Sequence, residues 1–292
     1  MKAAQKLREW FDSHQSQVRD DIVRLTMEMV RQRTVNVTPD KLIEHPYLAI
    51  RGEEWRVAAI VSRELEAWGI PFTRHERQQG RPNLLGRMGR NENGKRLLVA
   101  AHMDVVPAGD PSEWKKIKNP FEPEVQQGML YGRGVLDNKG PLASALVAVK
   151  MLREAIGSEA LAGQLQIAAL SDEEATGEDG VDYGVGYLLE EGLIDATCAI
   201  VPDIGEFMRS IDIAEKGGGV MRVTARGVQA HGSTPERGVN AIHKMANLLQ
   251  RFEAFPFVYE PHPLLGHPTI NVGLIHGGAA PNIVAGSCSF LV

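Results

Sequence analysis

Several classes of protein are excluded by what this sequence lacks. Only two of its 292 residues are cysteine, and Cys198 and Cys288 form no CxxC pair, so we predict buried thiols in a reducing compartment rather than disulfides. No apolar run is long enough for a membrane span, and the charged N-terminal segment lacks the apolar core of a signal peptide. The net charge of −5 offers no basic surface for nucleic acid. We therefore predict a cytoplasmic protein with no membrane or nucleic-acid partner.

Glycine-rich nucleotide motifs are also missing. The segment "YGRGVLDNKG" has glycines at 132, 134 and 140, which is the wrong spacing for the G-x-G-x-x-G of dinucleotide-binding folds. The "GGG" at 217–219 is not followed by the Lys and Ser/Thr of a phosphate loop. We therefore set aside a nicotinamide-dependent enzyme.

The chain divides into two patterns, which predict two domains. Apolar spacing predicts helices over 3–32 and 53–68, after which short strands alternate with helices as in a doubly wound α/β sheet. From about residue 209 an α+β pattern follows, with a hairpin over 210–229, a helix over 238–255 and two further strands. We predict domains 1–208 and 209–292.

The segment "LLVAAHMDVVPAG" places two ionisable residues at the end of an apolar strand. His102 and Asp104 are two positions apart, so both side chains point the same way in an extended chain. A carboxylate that accepts the second ring N–H of a histidine is the usual support of a metal-ligating imidazole. Taken alone, the pair fits a solvated turn equally well.

Further carboxylates recur at intervals of 30 to 36 residues after His102, about one per βα unit. They are Asp137 in a glycine-rich turn, the pair Glu173 and Glu174 after a strand, and Asp203 after another strand. Parallel strands bring such residues to one edge of the sheet, where open α/β folds bind their ligands. Carboxylates crowded there need cations, which predicts one or two divalent ions, with zinc first and manganese or cobalt as alternatives. The competing interpretation of "DEE" is an acidic surface turn.

Taken together, these stretches resemble the dinuclear-zinc exopeptidases and deacylases, a family that includes aminoacylase, acetylornithine deacetylase, succinyl-diaminopimelate desuccinylase, carboxypeptidase G and bacterial dipeptidases. The resemblance is carried, in this order, by "AAHMDVVPAG", "WKKIKNPFEPEVQQGMLYGRGVLDNKGP", "LSDEEATGEDG", "VPDIGEF", "EKGGGVMRVTARGVQAHGSTPERGVNAI" and "GGAAPNIVAG". "PDIGEF" followed by "AEKG" is most similar to the dipeptidase branch. The resemblance implies a mixed, mostly parallel sheet flanked by helices, with an inserted α+β lid domain of the dimerisation type.

The resemblance also implies roles for individual residues. His102 and Asp203 hold one zinc ion, Glu174 holds a second, and Asp137 bridges the two. Glu173 is the general base, and Asp104 orients His102. The peptide bond after the bridging aspartate, Asp137–Asn138, is often cis in this family.

Two residues of the second domain match substrate-contacting positions of the family. His231, in "QAHGSTPERG", matches a lid histidine that helps to stabilise the oxyanion, often in the partner subunit's active site. Asn282, in "APNIV", matches a substrate-contacting asparagine. Without the resemblance, His231 is better explained by a turn before a helix N-cap, and a turn before a strand explains Asn282 nearly as well as the substrate role does.

One departure from the family pattern limits the functional interpretation. The pattern requires a further metal-ligating histidine beyond the lid, and no histidine follows His276. We expect the chain to be a C-terminally truncated piece of a longer protein. The predicted function is metal-dependent hydrolysis of amide bonds in dipeptides or N-acyl amino acids, with homodimerisation through the lid as an expectation. The alternative is an inactive member that acts as a binding or dimerisation module.

Overall fold

The computed structural model describes residues 2–36, 53–174, 181–203 and 209–292. Parts of the family-like stretches "LSDEEATGEDG" and "VPDIGEF" lie outside the described residues. The chain divides into two compact units, residues 1–211 and residues 212–292.

The first unit is built on a five-stranded mixed sheet. Its helices are α1 (Lys2–Val30), α2 (Trp55–Ala67), α3 (Lys139–Ile156) and α4 (Val185–Glu190). Its strands are β1 (Phe72–His75), β2 (Asn83–Met88), β3 (Arg96–His102), β4 (Glu124–Gln126), β5 (Met129–Tyr131), β6 (Gln164–Leu170) and β7 (Cys198–Ile200). The sheet order is β1-β2-β6-β3-β7, and β4 and β5 form a separate hairpin. Strand β3 pairs in parallel with β6 and β7. Strand β2 runs antiparallel to both β1 and β6, so the four strands other than β2 share one direction.

Successive side chains of the central strands point to opposite faces of this sheet, and both faces are buried, as the predicted α/β fold requires. Ala101, Ile167 and Ala169 join the apolar cluster that contains residues of α1, α2 and α3. Their neighbours Ala100 and Ala168 join the cluster on the other face, which contains Leu188 of α4. The mostly parallel sheet between helices is therefore confirmed.

The second unit is a three-stranded antiparallel sheet with one helix. It contains β8 (Arg222–Arg226), α5 (Ala241–Glu253), β9 (Leu274–Gly277) and β10 (Ser287–Leu291), with the strand order β8-β10-β9. Asn240 caps α5, since its side-chain oxygen accepts hydrogen bonds from two amides of the first turn. Ala241 and Met245 of the helix pack on Cys288 and Phe290 of the sheet.

Two sequence-based predictions are wrong in detail. The hairpin over 210–229 does not form, because β8 pairs with β10 instead. Ile211 and Ile213 alternate as on a strand but are 90% and 82% exposed, so no packing selects a strand there. Cys198 was expected to be buried and is exposed, because it lies on β7 at the edge of the sheet, whereas Cys288 is buried.

No helix within 2–36, 53–174, 181–203 and 209–292 combines the length and the apolarity that crossing a membrane demands.

The main apolar cluster predicts the cost of a single truncation. Leu65 of α2 is 1% exposed and packs in the cluster with α3 and the sheet. Leu65→Ala should lower the free energy of unfolding by about 2–5 kcal/mol, because the lost methyl groups leave a cavity. Urea denaturation followed by circular dichroism measures this change. The exposed substitution Glu66→Gln on the same helix is the control, and an equal loss in both variants would contradict the packing assigned to Leu65.

Candidate metal centre

The predicted site residues of the first unit come from the carboxyl ends of its parallel strands. His102 is the last residue of β3, Glu173 and Glu174 follow β6, and Asp203 follows β7. Asp137 lies in the turn before α3. The structure therefore brings to one edge of the sheet residues that are far apart in the sequence.

Three of these side chains form a compact group of potential metal ligands. Within the part of the chain that the structure describes, one nitrogen of His102 and one carboxylate oxygen each of Asp137 and Glu174 all lie within 4.8 Å of one another. His102 is buried, and the two carboxylates are half-buried. An imidazole with two carboxylates is a donor set that divalent zinc or manganese accepts.

His102 presents a defined nitrogen to this group. Its Nδ1 lies 3.0 Å from the backbone carbonyl oxygen of Asp104 and 3.4 Å from Oδ1 of the same residue. Because a carbonyl oxygen can only accept, Nδ1 carries a proton, and Nε2 is the nitrogen that faces the candidate ligands. Nε2 lies 2.9 Å from Oδ1 of Asp137 and 3.7 Å from Oε2 of Glu173. A bound cation would take the place of a proton on Nε2.

The acidity of these groups is strongly perturbed. Burial by itself lowers the pKa of His102, but hydrogen bonds to Asp104 and Asp137 outweigh it and raise the pKa to about 11. Burial, followed by repulsion from Asp137, raises the pKa of Glu174 to about 7. Oε1 of Glu174 is buried and has no hydrogen-bond partner among the described residues. A divalent cation would satisfy this oxygen and relieve the crowding of carboxylates, so the residues present fit a metal ion.

Glu173 has the position of a proton acceptor beside the group. Its side chain is 51% exposed, unlike those of His102 and Asp104. Partial burial raises its pKa, and the negative charges of Asp104, Asp203 and Asp137 act in the same direction against the opposing charge of His102. A carboxyl with a raised pKa is better matched to proton transfer near neutral pH than an ordinary glutamate.

Asp104 connects the histidine to the acidic turn after β6. It is fully buried, and its two carboxylate oxygens accept the backbone amides of Glu173 and Glu174 at 3.2 and 3.1 Å. Its Oδ2 also accepts from Nδ2 of Asn36 at 2.7 Å. Burial tends to raise the pKa of this carboxyl, but the hydrogen bonds from His102, Asn36 and Glu174 lower it. Asp104 is therefore the ionised centre of a buried network.

Asp203 lies on the wall of a cavity of about 560 Å³ that also contacts His102, Asn138 and Glu173. The rest of the cavity wall is mainly apolar and comes from β3, α4 and the segment around β7. Asp203 is not a member of the three-ligand group defined above. Its assignment as a metal ligand remains a prediction. The Asp137–Asn138 peptide bond is cis, as the resemblance implied.

In the second unit, His231 and Asn282 are neighbours. His231 bridges to Ile283 in antiparallel fashion, and the amide of Gly232 donates to the carbonyl of Asn282 at 2.8 Å. Both side chains are exposed. Nδ1 of His231 lies 2.7 Å from the hydroxyl of Ser233 and accepts the amide of that residue at 3.2 Å. The roles of His231 and Asn282 toward a substrate remain predictions.

Several charged residues beneath the site were missed by the sequence reasoning. Arg81, Lys139, Glu54 and Asp172 are all buried. Burial lowers the pKa of Lys139 to about 7 and raises the pKa of Glu54 to about 7. Lys139 lies two positions after Asp137, so motif position could have found it, but nothing in the spacing of Glu54 or Arg81 indicates that they are buried.

The comparison with known proteins is decided by one match. Residues 98–263 match the model of peptidase family M20/M25/M40. The chain belongs to this family. The matched range contains His102, Asp137, Glu173, Glu174 and Asp203, so the family assignment and the three-ligand group rest on the same part of the chain.

Individual relatives agree with this assignment. A succinyl-diaminopimelate desuccinylase of Cereibacter sphaeroides is 31% identical over 278 residues, which are 92% of this chain and 66% of that protein. An uncharacterized metallohydrolase of Methanocaldococcus jannaschii is 34% identical over 222 residues, 70% of this chain and 50% of that protein. The chain thus spans about half to two thirds of the length of such curated relatives.

Solved structures show the same fold. Human carnosine dipeptidase 1 has a TM-score of 0.64 at 16% identity, with 98% of this chain and 71% of that chain covered. The dipeptidase Dug1p of Saccharomyces cerevisiae has a TM-score of 0.65 at 14% identity, with 100% and 72% covered. At these identities the likeness establishes the fold and not the substrate.

The opposite pKa shifts of two buried glutamates predict opposite pH dependences of stability. The pKa of Glu54 rises from its ordinary value of 4.5 to about 7, so the folded protein keeps this proton to a higher pH than the unfolded chain does. The free energy of unfolding therefore falls as the pH rises from 4.5 to 7. Glu54→Gln should therefore raise the free energy of unfolding above pH 7 by up to about 3 kcal/mol, at about 1.4 kcal/mol per pKa unit, and match the unsubstituted protein below pH 4.5.

Glu64→Gln is the matched control. Burial opposes ionisation of Glu64, but Arg24 and Arg63 outweigh it and lower the pKa, so its stabilising contribution is present above pH 4.5 and lost in acid. This variant should be less stable than the unsubstituted protein at pH 7 and converge with it at low pH. Urea titrations from pH 4 to pH 9 measure both variants, and a loss of stability in Glu54→Gln at pH 8 would contradict the assignment.

Proposed function

We propose that this protein is a metal-dependent hydrolase of amide bonds in dipeptides or N-acyl amino acids. The observation that carries the proposal is the three-ligand group of His102, Asp137 and Glu174, with the partly exposed Glu173 3.7 Å from Nε2 of His102. Family membership supports the reaction class. The desuccinylase relatives support an N-acyl substrate, and the two dipeptidases of like fold keep dipeptides in consideration.

The proposed metal content rests on the family resemblance together with the donor set. Two divalent ions, with zinc first and manganese or cobalt as alternatives, would be held by His102, Asp203 and Glu174, and Asp137 would be shared between them. Such ions, when bound, polarise a carbonyl group and lower the pKa of water.

The remaining residues act on protons and on orientation. Glu173 takes a proton from the attacking water and delivers it to the leaving amine, a task for which its raised pKa suits it. Asp104 holds His102 with Nε2 toward the ions. His231 and Asn282 contact the substrate, and His231 stabilises the oxyanion. We further propose a cytoplasmic enzyme that dimerises through its second unit.

The proton role of Glu173 is tested by Glu173→Gln. This variant should bind the same number of metal ions as the unsubstituted protein but lose about 10²- to 10⁴-fold in kcat, because the amide cannot accept the proton. Turnover is measured on a panel of dipeptides and acetyl-, succinyl- and carbamoyl-amino acids with zinc or manganese, and metal content by elemental analysis. The exposed Glu66→Gln is the control and should retain full turnover.

The outcomes separate the two candidate functions. A Glu173→Gln variant with unchanged turnover shows that another group is the base. A protein that binds about two ions per chain and hydrolyses a member of the panel supports the hydrolase. A protein that binds no ion is a binding or dimerisation module instead.

A further inference from the structure

We propose that Asn36 and Arg81 are positioning residues of the metal centre. Together with Asp172 they form a buried hydrogen-bonded chain that holds the carboxylate of Asp104. Through Asp104, the chain sets the ring of His102 and the backbone of Glu173 and Glu174. This inference rests on the proposed function, since it concerns the same ligands and the same base.

The side-chain amide of Asn36 uses all of its principal hydrogen-bonding groups in this chain. Its Oδ1 accepts from Nη2 of Arg81 at 2.8 Å. Its Nδ2 donates to Oδ2 of Asp104 at 2.7 Å and to Oδ1 of Asp172 at 2.9 Å. Because a guanidinium can only donate, it fixes which end of the amide faces it, and the NH₂ group must face the two carboxylates. Arg81 thereby determines the orientation in which Asn36 supports Asp104.

Arg81 also supplies the charge that makes this arrangement tolerable. Its side chain is fully buried and forms an ion pair with Asp172, which is fully buried as well. Two buried carboxylates, Asp104 and Asp172, share the NH₂ group of Asn36, and they would repel each other without a nearby cation. The guanidinium bonds in a planar fork, and it reaches the amide and a carboxylate at once.

The backbone brings Asn36 to this position. The chain at Val35 pairs in parallel with Val105, and the amide of Asn36 donates to the carbonyl of Val105 at 2.9 Å. Thr34 donates its hydroxyl to the carbonyl of Met103 at 2.6 Å. Residues 34–36 are thus held beside the segment that follows β3, with the side chain of Asn36 next to Asp104.

The effect on the site passes through the turn after β6. Asp172 has a φ of 60°, in the left-handed region that a residue with a Cβ seldom adopts. Its ion pair with Arg81 and its hydrogen bond from Asn36 hold it there. The next two amides, of Glu173 and Glu174, then both donate to Asp104. The backbone of the proposed general base and of one proposed metal ligand is therefore held by Asp104, which Asn36 and Arg81 support.

A purely structural role is the competing explanation, because removal of one partner of a buried ion pair lowers the stability of a protein. The two roles predict different effects on the metal site. A positioning role alters the geometry and affinity of the metal site beyond what an equal loss of stability produces. A structural role changes stability alone.

The experiment measures Co²⁺ and Zn²⁺ affinity and the visible absorption spectrum of the Co²⁺-loaded protein. Asn36→Ala and Arg81→Met should each weaken metal binding by about tenfold, as loss of a group that supports metal ligands commonly does, and should alter the Co²⁺ spectrum. The double variant should bind no more weakly than the worse single variant, because both substitutions interrupt one chain.

Two further variants separate position from stability. Leu65→Ala destabilises the same unit without contacting the chain, and it should keep the affinity and the spectrum of the unsubstituted protein. Arg81→Lys keeps the positive charge beside Asp172 but lacks the fork that also binds Asn36. It should recover more of the lost stability than of the lost affinity, and it replaces Arg81→Met as the test if that variant does not fold.

The results distinguish this inference from the proposed function. If the unsubstituted protein binds metal and the Asn36 and Arg81 variants bind it with the same affinity and spectrum, the positioning role is overturned and the hydrolase stands. The positioning role is also overturned if the loss of metal affinity is proportional to the loss of stability in every variant, Leu65→Ala included. If the unsubstituted protein binds neither Co²⁺ nor Zn²⁺, the proposed function fails first, and the positioning role fails with it.

Discussion

The buried carboxylate of Asp104 is the interaction on which the candidate site depends. An ionised carboxylate without exposure to water is stable only if enough donors surround it. Asp104 obtains them from Asn36, from the amides of Glu173 and Glu174, and from the ring of His102. Because these donors come from three separate parts of the chain, satisfying one charge also assembles the site.

The carboxylates around His102 repel one another. Asp137, Glu173 and Glu174 surround one buried imidazole, and the raised pKa values of the two glutamates express the cost of placing their charges together. Asp104 accepts the backbone amides of Glu173 and Glu174, which holds the turn that carries two of these carboxylates. The same arrangement favours binding of a divalent cation, since a preorganised set of oxygens and one nitrogen loses little conformational freedom when an ion binds.

The second unit contributes a different kind of surface. Its small sheet and α5 enclose a modest core, and the neighbouring His231 and Asn282 are exposed beside each other on two paired segments. Both residues had been singled out only by the family resemblance. Their proximity gives those two predictions a common location within the unit, and their contacts with a substrate remain to be measured.

The sequence alone determined most of the secondary structure of the first unit and the convergence of the candidate ligands at one edge of its sheet. The period-3.6 apolar pattern is a local property, so α1, α2 and α5 were predicted close to their observed bounds. The convergence of His102, Asp137 and the pair Glu173 and Glu174 was predictable because parallel strands carry the residues that follow them to one edge of the sheet, whereas the choice of Glu174 as a ligand came from the family resemblance.

Only the tertiary structure decided which segments pair and which charges are buried. The alternating pattern predicted β8 but paired it with the preceding segment in a hairpin over 210–229. Its observed partner, β10, lies some sixty positions later in the sequence. The short strands β1, β4 and β5 carry too few residues for a periodic signal. The positions of Asn36 and Arg81 depend on contacts with each other and with Asp104 and Asp172, over 45 to 136 residues of sequence. Such contacts have no local pattern, because their energy comes from burial and hydrogen bonding that exist only once the chain has folded.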